Sequence, residues 1–94
     1  MLEVFTTPDG RPALRGELDL LAVASMEALL AQLNGGCVDI DLSGVTFFDS
    51  CALRTLLVAR RRNSQLRVVN PSTAVLRVLE ITGTQDELVD GRSS

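Results

Sequence analysis

The order of hydrophobic and polar residues predicts short strands that alternate with helices. An apolar segment from Leu2 to Thr6 is followed by the turn sequence Thr7-Pro8-Asp9-Gly10. The segment from Pro12 to Gly16 then returns as a second strand. We therefore expect the chain to open with a β-hairpin.

The first helix is predicted from Ala22 to Leu33, where apolar residues recur at intervals of three and four. The sequence Asn34-Gly35-Gly36 is expected to end it, because glycine accepts the positive φ of a helix C-cap. The apolar stripe of this helix consists of Ala22, Val23, Met26, Leu29, Leu30 and Leu33.

The clearest strand is predicted from Cys37 to Leu42, where apolar and acidic residues alternate. Ser43-Gly44 is expected to break this strand, and Val45 to Phe48 forms a short extended apolar segment. The alternation separates two faces of the strand, namely Val38, Ile40 and Leu42 on one and Asp39 and Asp41 on the other.

A second helix is predicted to follow, with either Asp49 or Ser50 as its N-cap and its end near Arg62. The arginines at 60–62 fall in its last turn, where positive charge complements the helix dipole. The expected buried stripe is Leu53, Leu56, Leu57 and the stem of Arg60.

A fourth strand is predicted from Leu66 to Val69, and Pro71 stands near the first turn of a last helix. Strands that alternate with helices in this way indicate βαβ units with right-handed crossovers. The predicted fold class is α/β, with a small, mixed and largely parallel β-sheet. The apolar residues of the last helix are Val75, Leu76, Val78, Leu79 and Ile81.

The composition excludes several classes of function. A length of 94 residues with 46% hydrophobic residues suits one domain, which we expect over residues 1–89 with a solvated tail at 90–94. The chain has no histidine, so it cannot build a Ser-His-Asp or Cys-His nucleophile system or a His-bearing zinc site by itself. We therefore predict a protein that is not an enzyme and needs no metal or cofactor.

Charge and hydropathy restrict the partners. A net charge of −3 disfavours general binding to nucleic acid, which needs a basic surface. The apolar runs are far too short to span a bilayer, and the first residues lack a basic leader. Two cysteines in a domain with an adequate core favour a reducing compartment. The sequence thus predicts a cytoplasmic protein that does not insert into membranes.

Ser50 is the residue with the most chemical interest. Backbone N–H groups at a helix start are unpaired and favour an anion, so its hydroxyl serves either as an N-cap or as a phosphate acceptor. Cys51 is expected to have no redox chemistry of its own, and a disulfide to Cys37 is not expected. Asp39, Asp41 and Asp49 are expected to be solvated or hydrogen-bonded and not to bind a divalent ion.

The run from Asp41 to Leu57 resembles the signature of the STAS domain family, the anti-sigma factor antagonists of bacteria. That family usually has an Asp-Leu strand end, an apolar loop and then Asp-Ser-Ser/Thr-Gly-Leu at a helix start. Gly16-Glu17-Leu18-Asp19 is similar to a second family motif, and Asn70-Pro71-Ser72 also fits. The resemblance extends over essentially the whole chain and implies the STAS fold.

The resemblance implies a partner-switching function. In such antagonists, the serine at the position of Ser50 is phosphorylated by an anti-sigma factor that is a GHKL-type serine kinase. The unphosphorylated antagonist binds that kinase and releases the sigma factor, and a PP2C-type phosphatase reverses the modification. Asp19 and Asp49 are expected to shape an acidic partner-binding site, with Cys51, Ala52 and Arg54 along the contact edge of the helix.

This chain departs from the family pattern in having Cys51 and Ala52 where Ser or Thr and Gly are usual. The added methyl of Ala52 is expected to hinder the approach of a kinase. An alternative function is that of a STAS accessory subunit, not phosphorylated, in a larger complex such as a lipid-transport ABC system.

Overall fold

The computed structural model describes residues 2–33, 37–63 and 65–89. The predicted helix end at 34–36 and the predicted tail at 90–94 lie outside the described residues. The strands are β1 (Glu3–Thr6), β2 (Pro12–Leu18), β3 (Val38–Phe48) and β4 (Leu66–Val69). The helices are α1 (Val23–Gln32), α2 (Ser50–Arg62), α3 (Thr73–Thr82) and α4 (Gln85–Leu88), and a short 3-10 turn (Leu20–Ala22) precedes α1.

The four strands form one sheet in the order β1-β2-β3-β4. β1 and β2 pair antiparallel as a hairpin, whereas β2–β3 and β3–β4 pair parallel. The predicted α/β class, the opening hairpin and the mixed, largely parallel sheet are therefore confirmed.

A single hydrophobic core joins the sheet to all four helices. Val38, Ile40 and Leu42 are buried on one face of β3 as predicted, and Leu57 of α2 is only half-buried. The sequence pattern does not predict α4, because a single turn has too few apolar positions to show a period. The largest fully buried side chains are Leu14, Leu18, Met26, Ile40, Leu42, Leu56, Leu79, Leu88, Val68 and Val75.

The predicted break at Ser43-Gly44 is wrong, because β3 continues through it to Phe48. The pairing with β2 shifts at two places, between Ala13 and Arg15 and between Gly16 and Glu17 of β2. At each shift β3 contributes one more residue than β2, as in a β-bulge. The extra residues bend the strand without ending it.

Asp41 links the first of these irregularities to the loop between β4 and α3. One carboxylate oxygen accepts hydrogen bonds from the backbone N–H and the hydroxyl of Ser43, at 2.8 and 2.7 Å. The other accepts from the side-chain amide of Asn70 at 3.1 Å. Burial raises the pKa of Asp41, but these hydrogen bonds outweigh burial, so that its pKa lies below the usual value.

Asp41→Asn is expected to lower the free energy of unfolding at pH 7 by about 1–3 kcal/mol, because a buried charged acceptor is lost. A lowered pKa means that the carboxylate stabilises the fold above the unfolded pKa of about 3.9 and ceases to do so as the pH falls through the folded pKa. Urea unfolding of both proteins at pH 7 and pH 3 should therefore show the difference shrinking at pH 3.

Asp39→Asn is the matched control on the same strand. Asp39 forms an ion pair with Arg67 at 3.2 Å, and the Arg67 side chain is 48% exposed. We expect this substitution to cost less than about 1 kcal/mol. An equal cost for the two substitutions at pH 7, or a cost of Asp41→Asn that does not change with pH, would contradict the role given to Asp41.

Candidate functional site

Strands β2 and β3 end side by side at one edge of the sheet. Their last residues, Leu18 and Phe48, are paired, and the backbone N–H of Asp49 donates to the carbonyl of Leu18 at 3.3 Å. Asp19 and Asp49 each come directly after one of these strands. The structure thus brings the two predicted acidic residues to the same edge.

Both aspartates are N-caps. The carboxylate of Asp19 accepts from the backbone N–H of Leu21 at 3.1 Å, at the start of the 3-10 turn. The carboxylate of Asp49 accepts from the backbone N–H of Ala52 at 3.0 Å, at the start of α2. Of the two residues that the sequence left open for capping α2, the cap is therefore Asp49.

Ser50 is the first residue of α2 and is exposed. Among the residues that the structure describes, no hydrogen-bond partner is found for its hydroxyl. The first backbone N–H groups of a helix lack carbonyl partners within the helix, and they give its start a partial positive charge. An anion attached to Ser50 would lie close to that charge.

The three other predicted contact residues differ in exposure. Arg54 is exposed and Cys51 is half-buried, so both can reach a surface. Ala52 is 0% exposed, and its methyl group belongs to the hydrophobic core. The prediction that Ala52 lies on the contact edge is therefore wrong, because the start of α2 turns this position toward the sheet.

Large apolar side chains that were not predicted as site residues are exposed around the same edge. Leu20 and Leu21 follow Asp19 and are 67% and 90% exposed, and Phe47 is 48% exposed. The two leucines precede the apolar stripe of α1, which begins at Ala22. Their position outside that stripe is a signal in the sequence that they are not core residues. Large apolar residues exposed together in one region of a surface are typical of a protein–protein contact.

The three aspartates that the sequence singled out near β3 all have hydrogen-bond or ion-pair partners. Asp39 pairs with Arg67, Asp41 binds Ser43 and Asn70, and Asp49 caps α2. Over residues 2–33, 37–63 and 65–89, no cluster of potential metal ligands is found. Cys37 and Cys51 are free thiols.

None of the described helices is both long and apolar enough to cross a bilayer.

Comparison with known proteins agrees with the two motifs. The family model described as "Mlab, STAS domain" matches residues 6–90, a range that contains both Gly16-Glu17-Leu18-Asp19 and the segment around Ser50. Among curated proteins the search finds no match. Because the family model covers most of the chain and the sheet has the expected topology, the protein belongs to the STAS domain family.

Proposed function

We propose that this protein is an anti-sigma factor antagonist whose binding to an anti-sigma factor is switched off by phosphorylation of Ser50. The main observation behind the proposal is that capping of α2 and exposure of a hydroxyl fall on two different residues, Asp49 and Ser50. Asp49 caps the helix, so the exposed hydroxyl of Ser50 is not needed for folding. It is available to a kinase without loss of a structural hydrogen bond.

The proposed reaction uses this chain as a substrate. The Ser50 oxygen attacks the γ-phosphorus of ATP held by the partner kinase, ADP leaves, and the hydroxyl proton passes to a base of the kinase. This chain has no histidine, and one oxygen of the neighbouring Asp49 carboxylate accepts the backbone N–H of Ala52. The base is therefore assigned to the kinase, and this chain is proposed to be neither an enzyme nor dependent on a cofactor.

A phosphate at Ser50 would change the surface in two ways. It adds about −1.5 to −2 charges at neutral pH to an edge that already carries Asp19 and Asp49. It also adds a strongly hydrated group to the end of the sheet near which the chain exposes Leu21 and Phe47, and bringing a charge into an apolar contact is costly. Both effects weaken binding to a partner without any change of fold.

The proposed partners follow from this cycle. The first is an anti-sigma factor with GHKL-type serine kinase activity, and the second is a PP2C-type phosphatase that hydrolyses the phosphoserine. Both would act on this protein in the cytoplasm. Nucleic acid is not proposed as a partner, given the net charge of −3.

An accessory subunit of a larger complex, such as a lipid-transport ABC system, is the alternative. The matching family model is described as "Mlab, STAS domain", a description that does not mention sigma factors. Such a subunit would use the same exposed edge without phosphorylation. The two functions differ in whether Ser50 is modified and in whether its modification changes binding.

The proposal predicts phosphorylation at one position. After incubation with ATP and GHKL-type candidate kinases from the same genome, intact mass should show a gain of one phosphate. Ser50→Ala should abolish this gain, because it removes the acceptor oxygen. Ser25→Ala, which alters an exposed serine on α1, is the matched control and should be modified like the unaltered protein.

Two outcomes would contradict this prediction. One is a phosphate that persists in Ser50→Ala. The other is the absence of modification by every candidate kinase together with normal partner binding by Ser50→Asp, which would favour the accessory-subunit function.

Ala52→Gly is expected to leave the initial rate of Ser50 phosphorylation unchanged, because the methyl group of Ala52 points into the core and away from a kinase. The same substitution should lower the free energy of unfolding by about 1 kcal/mol, the usual cost of glycine in a helix. Kinase assays and urea unfolding measure the two effects. A marked acceleration of phosphorylation would show that the methyl group does obstruct the kinase.

The exposed leucines are expected to contribute to partner binding. Leu21→Asp should weaken the complex with the anti-sigma factor about tenfold or more, the loss typical of an apolar contact residue at an interface. Ile81→Asp on α3 is the control, since Ile81 is also highly exposed, at 79%. Isothermal titration with each variant tests this, and equal losses for the two would rule out a specific contact at Leu21.

A further inference from the structure

A cavity of about 610 Å³ lies between α1 and α2 and is not used by the proposed phosphorylation. This volume falls in the range of small-molecule sites, roughly 300–1,000 Å³. The walls are mainly apolar. They include Val23, Leu30, Leu33, Val58, Ala59 and Leu66.

The cavity is elongated along α2. Its lining residues on that helix extend from Cys51 to Arg62, a distance of roughly 16 Å at 1.5 Å per residue. Helix α1 connects β2 to β3, and α2 connects β3 to β4. Because both pairs of strands are parallel, α1 and α2 run in the same direction. Both helix starts therefore lie at the Cys51 end of the groove.

The charged groups of the groove distinguish its two ends. Arg54 lies near the helix starts and Arg62 in the last turn of α2. Within the described part of the chain, neither guanidinium has a hydrogen bond or an ion pair. Helix starts carry a partial positive charge and helix ends a partial negative one. An anion is therefore favoured beside Arg54, whereas the charge of Arg62 is already offset by the helix end.

More of the apolar lining residues lie at the opposite end, and Leu20 and Val23 line the end near the helix starts. Leu66 is 3% exposed and forms part of the core, and Leu30 and Leu33 are half-buried beside it. Val58, at 38% exposure, lies between the two ends. A ligand that matches this distribution has an anionic group at one end and an apolar chain about as long as the groove.

We propose that the groove binds a single-chain amphiphile with an anionic headgroup. The headgroup accepts charge-assisted hydrogen bonds from Arg54, and the chain lies along Val58 toward Leu30 and Leu66. Glu27 also lines the groove and has no ion pair among the described residues, so its carboxylate opposes the headgroup. The groove begins at Cys51, the residue after Ser50, but the proposal does not rest on phosphorylation of Ser50.

The first test compares three probes of equal chain length: dodecanoate, dodecyl phosphate and dodecanol. Titration calorimetry below the micelle concentration should show one dodecanoate bound per chain. Dodecanol should bind about tenfold more weakly or worse, since a charge-assisted hydrogen bond is lost. Preference for dodecyl phosphate over dodecanoate would identify a lipid headgroup as the source of the anion, and the reverse a fatty acid.

Substitutions test the position of each end. Arg54→Met should weaken dodecanoate binding about tenfold, while Glu27→Gln should strengthen it. Arg61→Met is the matched control, because Arg61 is exposed on the same helix and does not line the groove. Ala31→Phe, at an exposed position of the groove wall, should block the chain. Thermal unfolding confirms that each variant is folded.

Three results would overturn the proposal. Equal affinity for dodecanol and dodecanoate would remove the role of the anion. Equal loss in Arg61→Met and Arg54→Met would remove the role of the groove. Failure of all three probes to bind would remove the proposed ligand, and a dimer in sedimentation that Ala31→Phe dissociates would then show that a second copy of the chain occupies the groove.

Discussion

Leu18 and Phe48 face each other at the ends of two parallel strands, and the backbone N–H of Asp49 donates to the carbonyl of Leu18. This pairing determines where the two following segments begin. Each begins with an aspartate that caps its own helical turn, so Asp19 and Asp49 lie at one edge of the sheet. The position and freedom of the Ser50 hydroxyl both depend on this arrangement.

The pairing requires two irregularities in β3. Between Ala13 and Leu18, six residues of β2 lie opposite eight of β3, from Asp41 to Phe48. Each extra residue changes which face the following side chains take. As a result Leu42, Val45 and Phe48 are all buried although they are three residues apart. Asp41 stabilises the region of the first irregularity through Ser43 and links it to the loop after β4.

Much of this structure could be predicted from sequence because its elements have regular periods. The alternation from Val38 to Leu42 correctly predicts the first part of β3, and the helical spacing before Leu33 correctly predicts α1. The spacing of three residues after Leu42 has the period of neither a regular strand nor a long helix, so the sequence suggested a break at Ser43-Gly44. The choice between Asp49 and Ser50 as cap depends on hydrogen-bond geometry, and the burial of Ala52 depends on the direction in which α2 leaves β3. Neither can be obtained from residue types alone.

The central claim is that a phosphate on Ser50 prevents binding while leaving the fold intact. The most direct measurement is the affinity of the anti-sigma factor, with ADP present, for the unphosphorylated protein and for the fully phosphorylated protein. We expect phosphorylation to weaken binding by about a hundredfold or more, the size of effect expected when a charge enters a desolvated interface. We also expect the circular dichroism to be unchanged. Equal affinities of the two forms, or unfolding of the phosphorylated form, would show that Ser50 is not the proposed switch.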